Sequence, residues 1–174
     1  MFSQSRQKLK QNAANFITLT NLSLGSFATF AIINKQPKIA ILLIFLAAMA
    51  DRFDGAVARK FEIESELGKQ LDSLCDLISF GVAPALLVYL VALNELGPWG
   101  MFFTAFFIAC GAFRLARFNV TPANGYFIGI PIPVTACILA FFALFSNNLS
   151  PLFFMVLTGF LGFAMVSTIK LKKI

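Results

Sequence analysis

Histidine is absent from this chain of 174 residues, and charged side chains make up only 13% of it. Without histidine, Ser-His-Asp catalysis, Cys-His catalysis and metal sites built on imidazole are excluded. The three cysteines stand singly in apolar segments, which excludes a disulfide scaffold and favours a packing role. Apolar residues are abundant instead: 59% of the chain is hydrophobic, and 22 residues are Phe. This composition excludes a soluble globular domain and a disordered chain.

Six apolar segments are long enough for transmembrane helices, which need about 20 residues each, if some include a polar end. They span approximately residues 15–33, 38–58, 68–93, 98–118, 127–145 and 151–169. The connections between them are short and contain no linker or low-complexity tract. We therefore expect one all-α integral membrane domain of six transmembrane helices that comprises residues 1–174.

Basic residues are distributed unevenly around these segments. With six spans, all of the 14 Lys and Arg residues except Lys35 and Lys38 fall on the side of the two termini. The positive-inside rule then places both termini at the cytoplasmic face of the cell membrane. Membrane topology thus explains the net charge of +6, and we expect membrane lipids rather than nucleic acid as partners.

Seven of the eight acidic residues lie between positions 51 and 76, in the stretch DRFDGAVARKFEIESELGKQLDSLCD. Asp51 and Asp54 are three residues apart and Asp72 and Asp76 are four apart, so each pair occupies one face of a helix. If the second and third spans form a hairpin, four carboxylates meet at the cytoplasmic boundary and need positive charge between them. Two Mg²⁺ or Mn²⁺ ions suit such oxygen ligands. The alternative is salt bridges to neighbouring basic residues, namely Arg52, Arg59, Lys60 and Lys69.

The same stretch resembles the motif of the CDP-alcohol phosphatidyltransferases, D-x2-D-G-x2-A-R-x8-G-x3-D-x3-D. All eight fixed positions match, at Asp51, Asp54, Gly55, Ala58, Arg59, Gly68, Asp72 and Asp76. If each position matched by chance about once in fifteen, all eight would match less often than roughly once in 10⁹. The resemblance implies a six-helix fold, a homodimer, and transfer of a phosphatidyl group from a CDP-linked lipid to an alcohol with release of CMP.

The resemblance also implies roles for particular residues. The four aspartates would hold two Mg²⁺ or Mn²⁺ ions, and Asp76 would also be the general base that accepts the proton of the alcohol. The residues that would bind CDP are Asp51, Asp54, Gly55, Ala58 and Arg59. Two polar residues of the first span, Thr18 and Asn21, are predicted to face the nucleotide; a hydrogen bond to a neighbouring helix is the alternative.

The acceptor is predicted from three further stretches, which resemble the small bacterial and archaeal phosphatidylserine synthases: 79–85 (SFGVAPA), 114–119 (RLARFN) and 129–133 (GIPIP). This resemblance implies CDP-diacylglycerol and L-serine as substrates. The serine carboxylate needs a positive partner, which Arg114 and Arg117 can supply. Topology anchoring is the alternative for both arginines. Asn119 and Ser79 are further candidates for binding the acceptor.

Two other functions are weighed against this one. A related transferase would use glycerol 3-phosphate or inositol phosphate, but a phosphorylated acceptor favours a larger basic cluster than Arg114, Arg117 and Lys69. A divalent-cation transporter would also place carboxylates in the membrane. Transport, however, predicts acidic groups deeper in the bilayer or on both sides, and the fourth to sixth segments contain none.

Overall fold

The computed structural model describes residues 2–61, 66–120, 126–168 and 170–172, and the side chains of 18–53, 66–120 and 129–168. These residues are mainly helical, as predicted. The α-helices are α1 (Phe2–Ile33), α2 (Pro37–Phe61), α3 (Glu66–Asp76), α4 (Ala83–Val91), α5 (Pro98–Val120), α6 (Ile132–Ala143) and α7 (Pro151–Val166). A ribbon of two antiparallel strands, β1 (Tyr126–Ile128) and β2 (Lys170–Lys172), was not predicted.

The third predicted segment is one continuous helical rod with a wide turn inside it. A π-helical turn, Leu77–Val82, joins α3 to α4, and a single 3₁₀ turn, Leu93–Leu96, follows α4. Pro84 lies in the first turn of α4 and has no backbone N–H to donate to the carbonyl four residues earlier. A π-helical turn is one way in which a helix accommodates such a break. The turn begins directly after Asp76, so it sets the direction of the chain at the predicted general base.

The helix α1 is a central packing partner. It packs along α2 and also contacts α3, the π-helical turn and α4. Small residues allow this close approach: a Cβ atom at Gly25 would lie 2.6 Å from the Cα atom of Ser79, so only glycine fits there. The buried core beyond this contact is apolar and includes Phe80, Phe107 and Phe154. Asn21 of α1 is thereby held against the junction of α3 and the π-helical turn.

The predicted span 127–145 begins too early. Residues 127 and 128 lie in β1, and α6 begins only at Ile132, after Pro131. Between the strand and the helix, Gly129 has a φ of 77°, and a Cβ atom there would collide with the carbonyl oxygen of Met165. The Ile130 N–H donates to the Ala164 carbonyl over 3.3 Å. The segment before α6 is therefore fastened to the end of α7.

Large apolar side chains cover much of the outer surface, including Phe27, Phe30, Phe102, Phe160 and Phe163, each more than half exposed. Soluble monomers rarely expose so much contiguous apolar surface. In the described part of the chain, Glu66–Val91 and Pro98–Val120 are long and apolar enough to cross a membrane. The structure thus supports a membrane protein with two such helices, and shorter apolar helices accompany them.

Candidate active site

Three of the four predicted metal ligands converge at one end of the helices. Asp51 comes from α2, and Asp72 and Asp76 come from α3, where their spacing of four residues places them on one face. One carboxylate oxygen from each of the three lies within 4.8 Å of the others. α1 packs against both α2 and α3 and so lies beside the cluster. The predicted convergence of the second and third segments is therefore present in the structure.

The cluster is most buried at Asp76. Asp51 and Asp72 are half-buried, whereas Asp76 is only 8% exposed. Arg114 of α5 is equally buried and interacts electrostatically with both Asp76 and Asp51. The charges of Asp51 and Asp72 act unfavourably on the charge of Asp76, so a cation between the carboxylates would stabilise the cluster. A set of oxygen-only donors at this spacing could hold a hard divalent cation such as Mg²⁺ or Mn²⁺.

Asn21 joins α1 to this cluster through both its side chain and its backbone. Its Nδ2 donates a hydrogen bond to Oδ1 of Asp76 over 3.2 Å. Its backbone carbonyl accepts a hydrogen bond from the Ser79 hydroxyl over 3.0 Å. Asn21 is only 1% exposed and Ser79 is fully buried, so solvent does not compete for either bond. Asp76, which lies immediately before the π-helical turn, is thus held in place by a residue of α1.

Comparison with known proteins agrees with this geometry. Residues 11–169 match the CDP-alcohol phosphatidyltransferase family. The chain belongs to this family. A CDP-diacylglycerol–serine O-phosphatidyltransferase of Bacillus subtilis is 37% identical over 155 residues, which are 88% of this chain and 86% of that protein.

Two archaeal relatives have a similar sequence identity to this CDP-alcohol phosphatidyltransferase. A CDP-diacylglycerol–serine O-phosphatidyltransferase of Methanocaldococcus jannaschii is 38% identical over 160 residues, covering 92% of this chain and 73% of that protein. An archaetidylserine synthase of Methanothermobacter thermautotrophicus is 36% identical over 172 residues, covering 92% of this chain and 69% of that protein. The family resemblance read from residues 51–76 is therefore confirmed.

Part of the family motif lies where the structure gives only the backbone. Asp54, Gly55, Ala58 and Arg59 belong to the last turns of α2, but their side chains lie outside the described residues. Because the backbone is helical throughout α2, positions 51 and 54 share one face, as expected. Thr18, also predicted to face CDP, is buried on α1 one turn before Asn21.

The predicted acceptor residues of this family member do not gather in one place. Arg117 donates from Nη1 to the Val166 carbonyl over 2.8 Å, and from Nη2 to the carbonyls of Ser167 and Met165. These bonds tie α5 to the C-terminal end of α7 and satisfy carbonyls that the helix itself leaves free. Arg114, one helical turn earlier, lies beside the carboxylates instead.

Asn119 and Ser79 have structural partners that the sequence did not predict. The Asn119 side chain donates to Ser73 Oγ over 2.9 Å and to Gln70 Oε1 over 3.2 Å, and the Asn119 backbone carbonyl accepts from Lys69 Nζ. These bonds join the end of α5 to α3. The Ser79 hydroxyl is directed to the Asn21 carbonyl. Long-range pairs of this kind, 46 to 58 residues apart, leave no local signal in the sequence beyond a polar residue in an apolar helix.

Proposed function

We propose that this member of the family is a membrane-embedded CDP-diacylglycerol–serine O-phosphatidyltransferase. The observation that carries the proposal is the convergence of Asp51, Asp72 and Asp76 within 4.8 Å, in a chain whose bacterial and archaeal relatives carry that name. The relative that makes archaetidylserine shares the serine acceptor in its name and differs in the lipid. Serine is therefore the acceptor that the comparisons favour.

The reaction transfers the phosphatidyl group from an oxygen of CMP to the hydroxyl oxygen of serine. The serine hydroxyl oxygen forms a bond to the phosphorus that carries diacylglycerol, and the bond from that phosphorus to the CMP oxygen breaks, with its electron pair leaving on CMP. The hydroxyl proton passes to the Asp76 carboxylate, which acts as general base. A buried carboxylate held by Asn21 is suited to this step because its orientation is restricted before the alcohol arrives.

The aspartates Asp51, Asp54, Asp72 and Asp76 would hold two divalent cations, Mg²⁺ or Mn²⁺. Bound there, the ions would neutralise the diphosphate and stabilise the developing charge on CMP. Gly55 and Ala58 would leave room for the diphosphate against the backbone of α2, and Arg59 would pair with phosphate. Thr18 completes the proposed CDP site from α1. Asn21, expected to lie with it, is directed to Asp76 in the structure.

Arg114 is the proposed ligand of the serine carboxylate. The residue is only 8% exposed, and its Nε has no hydrogen-bond partner among the described residues. Both terminal nitrogens of Arg117, in contrast, donate to carbonyls at the end of α7. A buried donor without a partner costs about 1–3 kcal/mol, so Arg114 gains more than Arg117 when a carboxylate binds.

The proposed setting is one domain of six membrane spans, with the site and both termini at the cytoplasmic face and with two copies forming a homodimer. Six helical rods run through the described residues, and their outer surfaces carry exposed Phe side chains such as Phe30 and Phe163. A site at the ends of these rods lets the acyl chains of the donor stay in lipid while its nucleotide remains in water.

The test is CMP release by the purified protein in phospholipid vesicles containing CDP-diacylglycerol. L-serine, glycerol 3-phosphate and inositol phosphate are added in turn, with Mn²⁺ or Mg²⁺. We expect CMP release with serine only, its loss on addition of EDTA, and its recovery on addition of excess Mn²⁺ or Mg²⁺. Release with another acceptor would reassign the substrate within the family. No release with any acceptor from folded protein would overturn the proposed function.

A further inference from the structure

Two buried polar atoms beside Asp76 have no hydrogen-bond partner within the described residues. One is Oδ1 of Asn21 and the other is Nε of Arg114. Both residues are more than nine-tenths buried, and both interact with Asp76, Asn21 through a hydrogen bond and Arg114 through its charge. Buried polar groups in folded proteins are nearly always satisfied, so two unsatisfied atoms around one catalytic carboxylate indicate a ligand that completes them.

The chemistry of the two atoms defines that ligand. A carboxylate only accepts hydrogen bonds, so Nδ2 of Asn21 faces Asp76 and Oδ1 is directed away from it. Oδ1 can only accept a hydrogen bond, and the N–H at Nε of Arg114 can only donate one. The two atoms together require a ligand with a donor group and an acceptor group close to the hydroxyl that reacts at Asp76.

An α-amino acid with a hydroxyl side chain meets this requirement. In serine, the ammonium is a pure donor, the carboxylate is a pure acceptor, and both are attached to the carbon next to the one that bears the hydroxyl. Glycerol 3-phosphate and inositol phosphate have no ammonium and would leave Oδ1 of Asn21 without a charged donor. Leaving such a buried group unpaired is how binding sites reject analogues that lack one polar group.

We propose that Asn21 belongs to the acceptor site, where its Nδ2 orients Asp76 and its Oδ1 accepts a hydrogen bond from the ammonium of L-serine. Arg114 takes the carboxylate from the other side. This inference rests on the proposed function and deepens it, because it assigns the recognition of an amino acid to a residue of α1. It also moves Asn21 from the CDP site, where its sequence position suggested a role, to the acceptor site.

The test compares acceptors that lack one group of serine each. L-serine, 3-hydroxypropanoate (no ammonium) and ethanolamine (no carboxylate) are supplied to the wild-type protein and to Asn21→Leu, a variant of similar volume without hydrogen-bonding groups. The measurement is kcat/KM for CMP release with each acceptor, together with the separate kcat and KM values. Loss of Asp76 orientation slows all acceptors alike, whereas loss of the ammonium contact weakens serine and ethanolamine and spares 3-hydroxypropanoate.

In the wild type, we expect kcat/KM for 3-hydroxypropanoate to be at least about tenfold below that for serine, since a hydrogen bond to a charged group has this effect. In Asn21→Leu, the ratio of serine to 3-hydroxypropanoate should fall by about 10- to 100-fold, mainly through KM for serine. The ratio of serine to ethanolamine should stay far closer to its wild-type value, because both acceptors lose the ammonium contact while the Arg114 contact to the serine carboxylate remains.

The matched control is Thr158→Val. Oγ1 of Thr158 is the third buried side-chain atom that lacks a partner among the described residues, but it lies on α7, which packs mainly against α5. Its acceptor ratios should equal those of the wild type. A ratio that also changes in Thr158→Val would mean that any perturbation of the buried core alters selectivity, and it would overturn the proposal.

The outcomes separate this inference from the function on which it rests. If the wild type releases CMP with serine but uses 3-hydroxypropanoate equally well, no ammonium ligand exists and the inference is overturned without any variant. An unchanged acceptor ratio in Asn21→Leu, with reduced kcat, would restrict Asn21 to positioning Asp76. CMP release with glycerol 3-phosphate and not with serine would remove the proposed function and this inference together.

Discussion

Asp76 combines three properties at one residue: it is the most buried of the three clustered aspartates, it is oriented by Asn21, and it lies next to Arg114. Asp51 and Asp72 are half-buried. Burial and a fixed hydrogen bond suit a general base, which must accept the proton of a single bound alcohol. Partial exposure suits metal ligands, which bind an ion that arrives hydrated. The position of Asp76 thus supports its proposed role as the base.

Substitution of this carboxylate tests that role. Asp76→Asn keeps the size of the side chain and can still pair with Asn21, but it cannot accept the serine proton. We expect kcat for CMP release to fall by about 10²- to 10⁴-fold, the typical contribution of a general base, while CDP-diacylglycerol binding is largely retained. Steady-state kinetics and binding of a labelled CDP-lipid measure the two effects.

Glu95→Gln is the matched control, because Glu95 is an exposed acid in the 3₁₀ turn after α4. Its removal should leave kcat unchanged. Near-normal turnover by Asp76→Asn would remove the base assignment, even if the aspartates still bound metal ions.

At the scale of the helices, the site depends on contacts that hold the ends of the rods together. α1 approaches the π-helical turn closely at Gly25 and bonds to Ser79. α5 is joined to α3 through Asn119 and Ser73. Because these contacts lie next to the carboxylates, they determine how accurately α1, α3 and α5 present Asn21, Asp76 and Arg114 to one another. Ser79, Arg117 and Asn119, which were predicted to bind the acceptor, thus form hydrogen bonds between helices in the structure.

Arg117 provides the clearest test of whether such a residue stabilises the helix packing or binds the acceptor. Arg117→Gln removes charged hydrogen bonds to the carbonyls at the end of α7, so the free energy of unfolding should fall by about 1–3 kcal/mol. Thermal unfolding in detergent measures the loss. We expect KM for serine to stay within about twofold of wild type, because the substitution removes hydrogen bonds at the end of α7 and none at the proposed serine site.

Lys38→Gln serves as the control, because Lys38 is an exposed cation in the first turns of α2, away from the acidic cluster in the chain. It should change neither stability nor KM. A large rise in KM for serine in Arg117→Gln, at unchanged stability, would restore Arg117 as an acceptor ligand and contradict the structural role.

At the scale of the whole molecule, charged residues and exposed apolar residues occupy different parts of the surface, which bears on how the protein is oriented in the membrane. The carboxylates and Arg114 lie at one end of the rods, and Lys35 lies between α1 and α2 at the other. Exposed Phe side chains cover the sides between these ends. We propose that the end with the carboxylates faces the cytoplasm and that the α1–α2 connection lies outside the cell, as the positive-inside rule predicts.

Cysteine labelling of intact cells checks this orientation. We expect Lys35→Cys to react with a membrane-impermeant maleimide added outside, because Lys35 is exposed in the α1–α2 connection. Leu67→Cys, exposed at the start of α3, should react only after the cells are permeabilised. The unmodified chain is the control, since Cys75 and Cys110 are buried and Cys137 is half-buried. Labelling of Leu67→Cys in intact cells would reverse the topology.

Asp72 and Asp76 show how much of the candidate site could be predicted from the sequence. Their spacing of four residues and the match to the family motif predicted both their common face and their meeting with Asp51, and the structure agrees. The start of α6 was predicted wrongly, because the apolar run from residue 127 satisfies hydropathy while Gly129 and Pro131 break the helix there.

The sequence by itself determined the class of protein, the family and which aspartates cluster, because these follow from composition and from residues that are close together in the chain. Only the tertiary structure decided that Asn21 holds Asp76 and that Arg117 binds the end of α7, although both residues were recognised as candidates. Partners 49 to 55 residues apart are chosen by how helices pack, and packing depends on small residues such as Gly25 as much as on the polar residues themselves.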